Sequence, residues 1–171
     1  MPELRLLFGD LVSNAVLVIA TSIWAVWFVF RDPKFDYRVL AISAVLPDLF
    51  DGIRGSVGPF HSVATSIAVL FLIMLVTAGR KPIRQRLLAI PIGMFMHLIF
   101  DGAFSDSKTF WWPFTGVSFS DKLLPSVERG PWNLPLEVIG IIGCLIGWRY
   151  FALRDKTRRQ AFLKTGSLRK S

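Results

Sequence analysis

The sequence predicts an all-α, polytopic membrane helical bundle with about five transmembrane helices, and three observations favour this fold class. Hydrophobic residues make up 53% of the 171 residues, and they come in long blocks instead of alternating with polar residues. A helix needs roughly 20 apolar residues, at about 1.5 Å rise each, to cross a bilayer core. Basic residues cluster in short segments between and after the blocks. The alternating pattern of a transmembrane barrel is missing, which leaves helices to satisfy the peptide groups in lipid.

Five apolar blocks define the predicted helices. The first block has no charged residue, and Arg31-Asp32-Pro33 follows it where a cleavable signal would carry small residues, so we expect this helix to be retained. The second block is short and would span only with support from its neighbours. The blocks are Leu11 to Phe30, Val39 to Phe50, Ser62 to Ala78, Leu87 to Phe104 and Leu134 to Leu153.

The basic residues predict the orientation. Segments rich in Lys and Arg stay on the cytoplasmic side, and residues 79–86 contain four such residues. This placement puts the N-terminus outside and the C-terminus in the cytoplasm. We therefore divide the chain into a transmembrane domain, residues 1–153, and a basic cytoplasmic tail, residues 154–171. The net charge of +8 is then a topology signal, and no nucleic-acid partner is expected.

Six ionisable residues fall at the outer ends of the predicted helices. Ionisable groups inside a membrane are costly and usually face a bundle interior or a watery cavity, so their shared location points to function. Both histidines of the chain belong to this set. Its members are Asp48, Asp51, His61, His97, Asp101 and Glu137.

The spacing within this set is typical of a metal site. His97 and Asp101 are four residues apart and share one helical face, and Asp48 and Asp51 are three apart. Imidazole with carboxylate suits zinc, manganese or iron, whereas carboxylates alone would suit magnesium. A bound metal with an open position would provide hydroxide at neutral pH. Glu137, or an aspartate beyond the ligands such as Asp51, is the candidate for the catalytic base.

Structural roles could also explain these residues one at a time. Asp48 follows Pro47 and could cap a helical turn, and His61 with Ser62 could form a hydrated helix start. Glu137 suits the first turn of a helix, where the helix dipole favours an acid. His97 is predicted to lie deeper, and the group as a whole is harder to explain in this way.

Four short motifs resemble a known family. They are Leu46-Pro47-Asp48-Leu49-Phe50-Asp51, Gly58-Pro59-Phe60-His61-Ser62, Met96-His97-Leu98-Ile99-Phe100-Asp101 and Trp112-Pro113-Phe114. In this order they are similar to the LexA-regulated, inner-membrane-associated metal-dependent hydrolases of bacteria. The resemblance implies a multi-pass protein of the bacterial plasma membrane, with Asp48, His61, His97 and Asp101 at a metal centre. The chain departs from the family in having no histidine before His61 and in having Ser56 five positions ahead of it.

Two functions follow as expectations. The first is a metal-dependent hydrolase, with zinc or manganese, that acts near the outer leaflet on a lipid-linked or amphipathic substrate. Arg54, Lys108, Lys122 and Arg129 could attract an anionic headgroup, or could be ordinary loop charges. The second is a non-catalytic protein in which the polar cluster serves helix packing, proton or ion passage, or partner binding. The sequence leaves the oligomeric state open.

Overall fold

The computed structural model describes residues 14–32, 35–54, 56–119, 123 and 128–168, and leaves the side chain of Arg54 undescribed. All regular structure in these residues is helical, so the all-α prediction is confirmed. The structure does not describe Lys122 or residues 1–13, which contain the N-terminus that was predicted to lie on the outer side of the membrane. The helices are α1 (Ala15–Phe30), α2 (Tyr37–Ser43), α3 (Leu46–Arg54), α4 (Val63–Val76), α5 (Lys81–Leu87), α6 (Ala89–Phe100), α7 (Ser107–Phe110), α8 (Asn133–Tyr150) and α9 (Lys156–Thr165).

Two helical stretches in the described part of the chain are long and apolar enough to cross a membrane. They are Lys81–Phe100, which joins α5 to α6, and Gly130–Tyr150, which contains α8. Helices α1 and α4 are apolar but shorter. Large hydrophobic side chains are exposed along α8, among them Ile139, Ile142 and Ile146. Extended apolar surface of this kind marks contact with a membrane or a partner.

The predicted second helix is divided into two short helices. Helix α2 ends at Ser43, and α3 begins at Leu46 with Pro47 in its second position. A proline is tolerated in the first helical turn, because the N–H that it lacks has no partner inside the helix there. The division leaves the backbone carbonyl of Ala44 available to a side chain from another helix.

Close helix packing holds the bundle together at two glycines. Helix α8 packs along α1, and a Cβ at Gly140 would lie 2.5 Å from the backbone nitrogen of Leu17. Helix α6 packs against α1, α2 and α4, and a Cβ at Gly93 would lie 2.8 Å from the carbonyl oxygen of Leu40. Small residues let membrane helices approach in this way. The central position of α6 places its C-terminal end among the polar residues of other elements.

The basic segment after Leu153 packs against the bundle. Asp155 caps α9 by accepting the N–H of Arg158, and Gly166 ends the helix with a positive φ of 71°. The carbonyl oxygen of Gly166 then accepts the N–H of Tyr37 at 3.0 Å. Leu168 is buried in a core cluster that includes Tyr37. The segment is therefore attached to the start of α2.

Candidate metal centre

Four buried side chains from three elements converge at the end of α6. Asp48 comes from α3, His61 from the 3₁₀ turn Pro59–His61, and His97 and Asp101 from the last turn and the C-cap of α6. Each offers one ligand atom, and these atoms all lie within 4.8 Å of one another. None of the four residues is more than 2% exposed. The structure thus brings together the four residues that the family resemblance implied as metal ligands.

The distances inside this four-residue group suit a single ion. Nε2 of His61 lies 3.2 Å from Oδ1 of Asp48, and Nε2 of His97 lies 3.4 Å from the same oxygen. The two Nε2 atoms are 3.4 Å apart, and Nε2 of His97 lies 3.9 Å from Oδ2 of Asp101. Ligand atoms at about 2.0–2.2 Å from a tetrahedral ion are separated by about 3.4 Å. The group therefore has the dimensions of a mononuclear site.

Asp51 fixes the ring of His61. Its Oδ2 accepts Nδ1–H of His61 at 2.8 Å and also the backbone N–H groups of Gly58 and His61, at 3.0 and 3.1 Å. With the proton on Nδ1, the lone pair of His61 is on Nε2 and points at Asp48. A carboxylate behind a histidine is the usual arrangement for orienting a metal ligand.

A backbone carbonyl fixes the ring of His97. Nδ1 of His97 donates to the carbonyl oxygen of Ala44 at 2.8 Å, at the break between α2 and α3. Its lone pair is therefore also on Nε2. Oδ1 of Asp48 and Oδ2 of Asp101 are buried and have no hydrogen-bond partner. Two imidazole lone pairs and two carboxylate oxygens thus face one another, an arrangement that a cation would stabilise.

Two residues hold the far oxygen of Asp101. Nδ2 of Asn14 donates to Oδ1 of Asp101 at 2.9 Å, and Nη2 of Arg129 forms an ion pair with the same atom. These contacts turn Oδ2 toward His97. The sequence did not single out Asn14, and it predicted for Arg129 either attraction of an anionic headgroup or the role of an ordinary loop charge. The one available hint was that Asn14 is a polar residue at the start of an uncharged apolar block.

The two residues predicted to be catalytic, Asp51 and Glu137, are not among the four that offer ligand atoms. Asp51 contacts His61 on the side away from Asp48, as described above. Glu137 accepts the backbone N–H of Val16 at 3.3 Å, at the contact between α8 and α1, and is not a member of the four-residue group. Their predicted role as catalytic bases stays a prediction.

A small cavity borders the group. It has a volume of about 20 Å³, and His61, Asp106 and Glu128 are among the residues that line it. A space of this size holds about one water molecule. The site can therefore combine a buried set of nitrogen and oxygen ligands with a nearby polar cavity. Comparison of the chain with protein-family models, with curated proteins and with solved structures finds no match.

Proposed function

We propose that the protein is a membrane-embedded, metal-dependent hydrolase that acts near the outer leaflet on a lipid-linked or amphipathic substrate. The observation that carries this proposal is the convergence of Nε2 of His61 and Nε2 of His97 on carboxylate oxygens of Asp48 and Asp101 that lack hydrogen bonds. The resemblance of the surrounding motifs to a bacterial hydrolase family supports the same function.

The donor set fits zinc or manganese. Two imidazoles suit zinc, and two carboxylates suit manganese. Zinc bound by all four residues would form a closed tetrahedral site, whereas a six-coordinate manganese would leave positions open. A bound divalent ion with an open position would lower the pKa of water and make hydroxide available near neutral pH.

The remaining residues orient the ligands and handle protons. Asp51 holds the ring of His61, and Asn14 with Arg129 holds Asp101, so the ligand oxygens and nitrogens have fixed directions. Asp106 and Glu128 line the small cavity beside His61 and are placed to accept a proton from a water molecule held there. Glu137 and Asp51 remain the other candidates for the base.

We also propose a five-span topology in the bacterial plasma membrane. The spans would be α1, the pair α2 and α3, α4, the stretch from α5 to α6, and α8. The N-terminus would lie outside and the C-terminus in the cytoplasm. Charge distribution supports this arrangement: α5 and α9 are rich in Lys and Arg, and they lie at the ends of the spans opposite to the four-residue group.

Metal analysis tests the proposed function. Protein purified in detergent after growth with zinc or manganese should contain about one ion per chain, and His97→Ala should remove it. The loaded protein should hydrolyse at least one member of a panel of ester- and phosphoester-linked lipids, and His97→Ala should not. A wild-type protein without stoichiometric metal would contradict the proposal.

One observation favours a non-catalytic alternative. Four protein ligands are enough to close a tetrahedral zinc site, and Asn14, Asp101 and Arg129 tie α1 and the segment before α8 to the end of α6. Such a cluster would serve helix packing, at the modest energies typical of polar contacts in membranes. Stoichiometric metal without hydrolysis of any lipid in the panel would support this alternative.

A further inference from the structure

A large apolar groove lies between α1, α4 and α6. Its volume is about 720 Å³, within the usual range for small-molecule sites. Apart from Ser66, the residues that line it are apolar. The hydroxyl of Ser66 is buried and makes no hydrogen bond. The groove is therefore an apolar space with one unused hydrogen-bonding group.

The groove runs from the four-residue group toward the opposite end of the bundle. At the near end it is lined by Val63, two residues after His61, and by Phe100, the residue before Asp101. At the far end it is lined by Phe30, Leu70 and Pro91. Along α6, the nine steps from Pro91 to Phe100 cover about 14 Å. Half of a bilayer core of ~30 Å is ~15 Å, so the groove is about as long as the hydrocarbon part of one leaflet.

The dimensions select among possible occupants. A docking helix is about 10 Å wide and brings polar groups that need partners, whereas Ser66 is the one polar residue among the described residues that line the groove. A single hydrocarbon chain is narrower and needs no polar partner. Ser66 lies one helical turn from Val63, near the end of the groove where the chain of a lipid would join its polar part.

We propose that this groove binds one acyl chain of a lipid and directs the headgroup of that lipid to the four-residue group. The inference rests on the proposed function for its direction, because a hydrolase of this kind must bring a polar bond to His61 and His97. The hydroxyl of Ser66 donates to an oxygen at the start of the chain. The substrate class is therefore an acylated lipid, bound by its chain from within the bilayer.

Photolabelling of the full chain in detergent tests this site. The probes are two palmitic acid analogues, one with a diazirine near the carboxyl group and one with a diazirine at the chain terminus. Labelling of the groove should saturate and should be displaced by unlabelled palmitic acid. The first probe should label residues near Val63 and Ile99, and the second should label residues near Leu70 and Ile92. Labelling that does not saturate, or a reversed pattern, would overturn the proposal.

Matched variants separate the groove from general contact with apolar surface. Ala25→Phe fills the groove and should reduce labelling at least about tenfold, because a phenyl ring displaces several methylene groups and each contributes about fourfold to binding. Ala68→Phe adds the same ring to an exposed position of α4 outside the groove and should leave labelling unchanged. Equal labelling of the two variants would contradict the site.

His97→Ala distinguishes failure of this proposal from failure of the proposed function. His97 does not line the groove, so the variant should lose metal and keep saturable labelling. Saturable labelling in a wild-type protein that binds no metal would contradict the proposed hydrolase and support the acyl-chain site. Metal binding without saturable labelling would contradict the acyl-chain site and leave the proposed hydrolase uncontradicted.

Discussion

One carboxylate oxygen of Asp51 contacts two atoms of His61. Oδ2 of Asp51 accepts the ring Nδ1–H of His61 at 2.8 Å and its backbone N–H at 3.1 Å. The carboxylate thus fixes both the position of the backbone and the direction of the ring. A residue held in this way keeps its Nε2 lone pair in place before any ion binds.

Replacing Asp51 should therefore weaken metal binding without removing a ligand. Asp51→Asn keeps the shape of the side chain but loses the negative charge that favours the Nδ1 proton, and we expect affinity to fall about 10- to 100-fold. Titration against a competing chelator measures this. Glu137→Gln is the control, because Glu137 accepts the backbone N–H of Val16, is not a member of the four-residue group and should retain wild-type affinity. Equal affinity of the two variants would contradict the role of Asp51.

Replacing Asp48 should have opposite effects on stability with and without metal. In Asp48→Asn an amide N–H can face the Nε2 lone pairs, so we expect the melting temperature without metal to rise. The wild type should gain about 2.7 kcal/mol at a free metal concentration of 100 times Kd, and the variant should gain much less. Thermal unfolding in detergent with and without zinc or manganese measures both effects. Asp155→Asn, at the N-cap of α9, should gain as much stability from metal as the wild type does.

Gly140 should tolerate no side chain. Gly140→Ala places a Cβ 2.5 Å from the backbone nitrogen of Leu17, so α8 and α1 must separate, at a cost of about 1–3 kcal/mol. Gly147→Ala is the matched control, because its Cβ would lie 3.7 Å from the nearest atom, on Trp24. Reversible unfolding in mixed micelles measures both variants. Helix propensity favours alanine over glycine at both positions, so a similar loss of stability in the two variants would contradict the close packing at Gly140.

Gly166 should hold α9 against α2. Gly166 has a φ of +71°, and a Cβ there would collide with the side chain of Asp36. Gly166→Ala should release α9 and accelerate tryptic cleavage at Arg158, Arg159 and Lys164. Gly79→Ala carries a similar backbone strain, with a φ of +76°, but meets no atom within 4 Å. Cleavage of α9 at the wild-type rate in Gly166→Ala would contradict the contact with Asp36.

The attachment of α9 should also depend on pH through Asp36, because Asp36 holds the guanidinium of Arg38, which donates to the carbonyl oxygen of Leu163 in α9. Burial raises the pKa of Asp36, but hydrogen bonds from Arg38 and Val39 and the charge of Arg38 outweigh it, so the pKa lies below its ordinary value of 3.8. The stabilisation is therefore complete above pH ~4 and is lost as the pH falls through the lowered pKa. Hydrogen exchange in α9, corrected for the intrinsic rate, should show this loss. In Asp36→Asn the pH dependence of hydrogen exchange in α9 should be absent, and exchange should be fast at every pH.

The sequence predicted the parts of the fold that depend on composition and local spacing. Apolar blocks identified α1, α4, α6 and α8, and the i, i+4 spacing placed His97 and Asp101 on one face. It did not predict the break between α2 and α3, because an apolar run around Pro47 is compatible with one helix or two. Among the residues that the structure describes, two helical stretches reach the length and apolarity of a span, so the five-span arrangement stays a proposal.

The rest of the site depends on contacts between distant residues. Asn14 meets Asp101 across 87 positions of the chain, and His97 meets the Ala44 carbonyl across 53. No local pattern encodes such pairs. Every residue has a backbone carbonyl, so the residue type at position 44 does not indicate that this carbonyl would accept the N–H of His97. These contacts follow from the packing of α6 against α1 and α2, which a single sequence does not specify.

The burial of Leu168 affects how fusion proteins of this chain must be designed. Topology is often mapped by joining a reporter enzyme to a series of shortened chains. A chain cut after Leu153 would lose Leu168 from the core around Tyr37 and would leave the N–H of Tyr37 without the carbonyl of Gly166. A reporter joined to such a shortened chain would therefore report the topology of a bundle that lacks these contacts. Thiol labelling of the full-length chain, with the exposed Cys144 replaced first, preserves these contacts.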